Sequence, residues 1–228
     1  MANIRTLEPG ALWVAEMPFR FAGVETGARM TIARLQNGDL WLHSPIDLTP
    51  YLRRALDALG PVRFIVAPNK YHYLSLHEYS RAYPNAQLWA APGLMQGQKE
   101  LRFAGELGDA PPPQWGGEID QMIFEGSLMA REVVWFHRSS RTLILTDLSV
   151  NLPGKRPPLT RFLARLLDVR HLAPSRIYRL LMRDRKAARD SVRRILQWDF
   201  KRVIISHGDI VEHDGKRAIR RAFAWLRP

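Results

Sequence analysis

Arg202-Val203-Ile204-Ile205-Ser206-His207-Gly208-Asp209 is a short apolar run that stops on a His-Gly-Asp corner. Two other runs stop in the same way. Thr142-Leu143-Ile144-Leu145-Thr146 ends on Asp147, and Phe64-Ile65-Val66-Ala67 ends on Pro68-Asn69-Lys70-Tyr71-His72. Short apolar runs bounded by breakers read as buried strands. Polar side chains just past such strands are where open α/β sheets hold ligands. Three strand ends carrying His, Asp and His therefore predict one composite site.

Outward from these runs, Ala11–Ala15, Met30–Leu35 and Leu40–His43 alternate as antiparallel strands, with a hairpin signal at Asn37-Gly38. Thr49, Pro50 and Gly60-Pro61 bracket an amphipathic helix over Tyr51–Leu59 with cap, first-turn proline and terminal glycine in place. The strand Val62–Ala67 follows, then a helix from His72 to Tyr83 and a strand over Gln87–Ala91. Residues 92–120 are rich in Gly and Pro and read as irregular. Met122–Glu125 is a strand, and Glu132–His137 with Thr142–Thr146 forms a hairpin around Ser139-Ser140. That turn pairs His137 near Thr142 and Glu132 near Asp147, so Glu132, or Arg131 beside it, is the expected neighbour of Asp147. With about 3.3 Å of rise per residue, His137 lies at the far end of the ribbon from Asp147. Helices with apolar spacing at Phe162, Leu163, Leu166 and Leu167, and at Ile177, Leu180 and Leu181, come next. A long helix from Asp184 to Trp198, the strand Val203–Ser206 and a closing helix from Arg217 to Leu226 complete the chain. This order predicts two mixed sheets with helices outside, a four-layer αββα sandwich of the α/β (mixed α+β) class.

At 228 residues and 46% apolar, the chain fits a single domain, 1–228, with an ample core. Cysteine is absent, which excludes disulfides and thiolate chemistry; a metal would need His, Asp, Glu or Asn ligands. The N-terminus lacks the pattern of a signal peptide and no window is long and apolar enough to span a bilayer, so a cytoplasmic protein is expected. The formal net charge is +12. Between Pro153 and Arg189 eleven Lys and Arg face two Asp, which leaves +9 in that stretch. This basic helical insertion, about 153–189, fits either a solvated face or a surface that meets anionic lipid, another polyanion or an acidic substrate. The chain carries no nucleic-acid motif, and no aromatics interleave the arginines as single-strand binders need.

His207, held at a strand end before glycine, suits a metal ligand or general base, or a turn histidine satisfied by carbonyls. Asp147 can bridge metals or orient a histidine, or cap the next turn. His72 opens a helix whose free N–H groups favour anions. Asn69 caps that helix. His43 is a strand-end or packing residue, and His77, His171 and His213 are surface groups.

These residues, with Trp41-Leu42-His43-Ser44-Pro45, Ala91-Pro92-Gly93-Leu94 and Ser140-Arg141-Thr142, resemble the metallo-β-lactamase-fold superfamily and, more closely, the DUF4336 group within it. The resemblance implies the αββα sandwich and, in active members, a one- or two-metal centre that hydrolyses esters, amides, thioesters or phosphodiesters. The superfamily's first motif is His-x-His-x-Asp-His. Here Pro68-Asn69-Lys70-Tyr71-His72-Tyr73 stands there, with His72 near the Asp position and Tyr73 near the last His. The histidine expected before the hairpin is replaced by Glu125-Gly126-Ser127-Leu128. Asp147 and His207 match the bridging aspartate and the final histidine. What remains implies a single zinc or iron on His72, Asp147 and His207. In that scheme Asp147 or Glu132 orients water, Lys70 meets a substrate anion, and Asn69, Tyr73 and Asp209 line the pocket. The first functional reading is a mononuclear metallo-hydrolase of a small molecule. The alternative is a metal-free fold that docks on anionic membrane, or another polyanion, through its basic helices.

Overall fold

The computed structural model describes residues 3–21, 23–127, 131–154 and 156–228. The first sheet is built from β1 (Asn3–Glu8), β2 (Leu12–Met17), β5 (Ala28–Arg34), β6 (Leu40–His43), β7 (Val62–Ala67), β8 (Gln87–Ala90) and β9 (Phe103–Glu106), in that order. It is antiparallel as far as β6 and parallel from β6 to β9. β3 (Arg20–Phe21) and β4 (Val24–Glu25) form a small separate hairpin. The second sheet runs β10 (Ile119–Phe124), β11 (Glu132–His137), β12 (Thr142–Ile144) and β13 (Arg202–Ile204), with β12 and β13 parallel. The helices are α1 (Pro50–Leu59), α2 (Leu76–Ala82), α3 (Pro158–Leu166), α4 (Arg176–Leu180), α5 (Arg185–Ile195) and α6 (Gly215–Ala222).

The period-two alternation of the strands builds the layers. On β6, Leu40 and Leu42 face Leu52, Leu56, Leu76 and Tyr79 of α1 and α2. Trp41 between them points the other way, into a core shared with Trp115, Trp135, Ile144 and Ile204. On β12 and β13, Leu143 and Val203 join Val192, Ile195 and Ile219 of α5 and α6. Two outer cores and one central core make the αββα sandwich. The central core is an aromatic lattice of edge-on pairs, with Trp41–Trp135 centroids 5.6 Å apart and Trp89–Trp115 5.4 Å apart.

Local chemistry explains the boundaries. Thr49 Oγ1 accepts the Leu52 N–H at 3.1 Å and starts α1 where the cap pattern put it. The helix expected from His72 begins only at Leu76, because His72–Ser75 form a turn closed by the Leu76 N–H on the Tyr73 carbonyl. The Gly- and Pro-rich stretch 92–120 is more ordered than its composition suggests: it holds β9 on the sheet edge, and the start of β10. Of the basic stretch, α3 lies beside a small core of Val24, Leu152, Ala164 and Val169, α4 sends Tyr178 into the outer core of the second sheet, and Arg185, Lys186 and Arg189 belong to α5 of the outer layer. Lys155 lies outside the described residues.

His137 pairs with Thr142 as the hairpin count requires, at the far end of β11 from Glu132. It is buried, its Nδ1 is 2.7 Å from Ser140 Oγ, and burial pushes its pKa down to about 4. Burial, and then the charge of His72, also hold wholly buried His43 well below the ordinary value. The folded state refuses protons that the unfolded chain accepts below about pH 6.5. Each such group therefore removes stability as pH falls from about 6.5 toward its folded pKa, by about 1.4 kcal/mol per pH unit at most. Urea midpoints should drop between pH 7 and 5, and His137→Asn should flatten that slope; an unchanged slope would assign the acid sensitivity elsewhere.

Candidate metal centre

The carboxyl ends of the parallel strands β6, β7, β12 and β13 meet where the two sheets face each other. Asp147 stands past β12 on a corner wrapped around a buried carboxylate. Glu132 Oε1 accepts the Thr146 N–H at 2.7 Å, and Oε2 accepts those of Asp147 and Leu148 at 2.8 and 2.9 Å. Burial and then the Asp147 charge push the Glu132 carboxyl up to about 8, while the three N–H donors pull it back. Glu132 is thus the neighbour of Asp147 that the hairpin count predicts, but it lies beneath the corner, wholly buried. It shapes the turn that presents Asp147 and has no oxygen turned to an incoming water.

Asn69 works on two elements at once. Its Oδ1 accepts the Tyr71 and His72 N–H groups at 2.9 and 3.2 Å, and its Nδ2 donates to Asp147 Oδ2 at 2.8 Å. Asn69 does not cap a helix as expected, because α2 starts only at Leu76; it closes the turn before α2 and holds Asp147 with the same side chain. The Pro68 carbonyl accepts the Val133 N–H at 2.9 Å, tying the loop of His72 to the second sheet. His72 Nδ1 lies 2.6 Å from Ser44 Oγ. Ser44 follows β6 in the left-handed region, φ 56°, a conformation that costs a non-glycine residue about 1 kcal/mol or more. Ser206 Oγ donates to Ser44 Oγ at 3.4 Å from the other sheet. Sequence reasoning missed Ser44, because a serine before proline reads as a simple strand end. With His72 Nδ1–H on this hydroxyl, Nε2 is free to act as a ligand. Ser44→Ala should weaken zinc binding about tenfold or more without altering the circular dichroism spectrum. Unchanged affinity would reduce Ser44 to a backbone corner.

His207 is fixed from behind. Its Nδ1 donates to the Gly27 carbonyl at 2.7 Å, since a carbonyl only accepts, so in the neutral ring Nε2 carries the lone pair. Phe19 stacks on the ring with centroids 5.8 Å apart. Gly208, φ 94°, lies so close to Asn151 that a Cβ would run into its carbonyl oxygen. Arg29 locks the corner. Buried in β5, it donates through Nη1 to the Ile205 carbonyl, through Nη2 to the Gly208 carbonyl at 2.7 Å, and through Nε to Glu16 Oε1 at 2.7 Å. Burial lowers its pKa and Glu16 opposes that. Arg29 too was missed: it stands just before the apolar run Met30–Leu35, where a charged residue reads as the exposed end of a strand.

The three predicted ligands converge. One donor atom from each of His72, Asp147 and His207 lies within 4.8 Å of the others. His72 Nε2 and His207 Nε2 stand 3.2 and 3.3 Å from the same oxygen, Asp147 Oδ1. All three are partly exposed, so an ion from solvent can reach them. Burial opposes ionisation of Asp147, but the two imidazoles outweigh it and hold its carboxyl well below the usual range. Burial likewise pushes His207 down, yet the Asp147 hydrogen bond and charge bring it above its ordinary value. A neutral His207 would aim a lone pair at an anionic oxygen. That contact is stable only with a proton or a metal cation between them. Two imidazoles and one carboxylate with open positions is a donor set that suits zinc or ferrous iron. The residues present therefore fit one ion.

The remaining pocket candidates lie elsewhere. Tyr73 packs on the outer core of the first sheet, because its turn points it away from β12. Asp209 is half exposed on the rim, where it pairs with Arg156. Lys70 is exposed, with its ammonium group beside Gly93, and is not one of the converging groups. Arg131 is exposed and pairs with Glu125 at 2.7 Å, away from Asp147. At the missing-histidine stretch, Gly126 is pressed against Asp184, at the start of α5, where no Cβ fits; Leu128 lies outside the described residues. His43 is the packing residue expected, stacked on Trp41 and 3.2 Å from Thr146 Oγ1. His171 and His213 are exposed as expected, and His77 is half-buried.

No curated protein matches the chain in sequence. Among solved structures it is similar to a metallo-β-lactamase from Pontibacter korlensis, with TM-score 0.69, 14% identity, and coverage of 100% of this chain and 99% of that one. It is also similar to the FIM-1 metallo-β-lactamase from Pseudomonas aeruginosa in its mono-zinc form, with TM-score 0.66, 11% identity and coverage of 100% and 97%. A third neighbour is the metal-soaked Flv1 flavodiiron core from Synechocystis, with TM-score 0.70, 11% identity and coverage of 99% and 61%. At these TM-scores the likeness establishes the fold, and at these identities the fold alone. The family model described as a domain of unknown function, DUF4336, matches residues 9–178, which hold His72 and Asp147, and the chain therefore belongs to the DUF4336 family on a metallo-β-lactamase fold.

Proposed function

We propose that this protein is a mononuclear metal-dependent hydrolase whose ion, zinc or iron, is held by His72, Asp147 and His207. The observation that carries the reading is the pair of imidazole Nε2 atoms aimed at one carboxylate oxygen, with His207 Nδ1 committed to a backbone carbonyl. When bound, the ion supplies Lewis acidity toward a carbonyl or phosphoryl group and toward water. The chain's own residues do the rest. Asn69 fixes Asp147 Oδ2 and leaves Oδ1 to the cluster. Ser44 and Gly27 hold the outer nitrogens of the two rings, so both present Nε2. Arg29 and Glu132 keep the two corners from moving apart. Two neighbours of the same fold, the mono-zinc FIM-1 metallo-β-lactamase and the metal-soaked flavodiiron core, support a metal on this fold.

The reading is tested with untagged protein loaded with zinc or ferrous iron and offered p-nitrophenyl acetate and bis-p-nitrophenyl phosphate. Turnover that a chelator abolishes and metal restores is expected. Hydrolysis indifferent to chelator, or none with either metal bound, would contradict it.

A further inference from the structure

α3 is built the wrong way round for a helix that serves only a core. Its buried residues are the small Thr160 and Ala164, while Leu159, Phe162 and Leu166, spaced along one side, face outward. α4 repeats the pattern with Ile177 and Leu180. These five side chains are 51–77% exposed, far more than the scattered apolar residues of an ordinary surface. The β3–β4 hairpin lies against α3, with Glu25 N–H on Thr160 Oγ1 at 3.2 Å, and adds Phe21, which is 70% exposed. Residues 156–183 carry seven arginines and one aspartate. Arg156 and Arg179 pair with Asp209 and Asp168, whereas Arg161, Arg165, Arg170, Arg176 and Arg183 make no ion pair among the described residues.

We propose that α3, α4 and the β3–β4 hairpin form a docking face for an anionic lipid bilayer. Unpaired arginines flanking protruding apolar side chains complement a surface that is negative outside and apolar beneath, as interfacial helices do. Nucleic acid fits less well, since four of the five helical apolar residues are Leu or Ile and cannot stack on bases. Among the described residues no helix is long and apolar enough to cross a membrane. The proposal is independent of the metal site, and apo and metal-loaded protein should dock alike.

Sedimentation with phosphatidylcholine vesicles, with and without phosphatidylglycerol, tests it. The protein should pellet with the mixed vesicles only, and raised salt should weaken the binding. The paired changes Phe162→Ser and Leu166→Ser should weaken it at least about tenfold, and Arg161→Glu with Arg165→Glu should abolish it. Failure to bind either vesicle, equal binding to both, or full binding by the serine variant would overturn the proposal. So would self-association that covers this face and leaves no lipid binding. A single-stranded RNA that binds as strongly as the mixed vesicles, regardless of the serine changes, would point to a general polyanion surface instead.

Discussion

Asp147→Asn is expected to strip the protein of its metal, from near one ion per chain to near none at micromolar zinc. The change removes the anionic oxygen that both imidazoles share and leaves the two rings with a weak amide ligand. Loss of a direct ligand should exceed the roughly 10–100-fold effect typical of an outer-shell partner. The fold should survive, because the amide can still meet Asn69 and the backbone of residue 147 still donates to Glu132. Stability gives a second readout. An ion present at a hundred times its Kd adds about 2.7 kcal/mol to the native state. Zinc should therefore raise the melting temperature of the wild-type protein and not of the variant. His207→Ala should behave alike. Equal zinc stoichiometry in variant and wild type would place the ion elsewhere.

Arg29→Leu is expected to destabilise the protein by about 3–5 kcal/mol, because two buried carbonyls lose their charged donor at about 1–3 kcal/mol each or somewhat more, while the partly exposed Glu16 adds little. The leucine would leave the Ile205 and Gly208 carbonyls without their donor and Glu16 without its cation. For a chain of this size that corresponds to a drop of roughly 6–20 °C in melting temperature. Arg29→Lys should rescue little, because a single ammonium cannot span two carbonyls and a carboxylate as the planar fork does. Thermal denaturation in chelator, which removes any contribution from metal, checks this. A variant that melts within a degree or two of wild type would show that the His207 corner needs no such lock.

Elements whose causes are local were legible in the sequence. α1 has its cap, its proline and its glycine within the segment itself, and the β11–β12 register follows from one turn. The three apolar runs are strands because each alternates between two cores. What was not legible depends on partners distant in sequence. β9 carries no run of apolar residues and is a strand because the edge of β8 is there to pair with it. The late start of α2 follows from the tight turn at His72–Ser75, which pattern alone reads as one more helical turn.

The site divides in the same way. His72, Asp147 and His207 were visible because each follows a buried run. Their supports were not. Ser44 reaches across 28 positions to His72, Gly27 across 180 to His207, and Arg29 across 179 to Gly208. Tyr73 and Asp209 were drawn in by their nearness in sequence to ligands. Tyr73 is one residue past His72 and Asp209 two past His207, and at each position the turn carries the side chain elsewhere, so proximity along the chain misplaced both. The outward leucines of α3 were also hidden, since helical spacing identifies an apolar stripe without saying which side it faces.

The most direct test is a crystal of the zinc-soaked protein with anomalous diffraction measured at the zinc edge. The account predicts one peak at about 2.0–2.2 Å from His72 Nε2, an Asp147 carboxylate oxygen and His207 Nε2. No peak there at full zinc occupancy in solution, or a peak held by other residues, would contradict it.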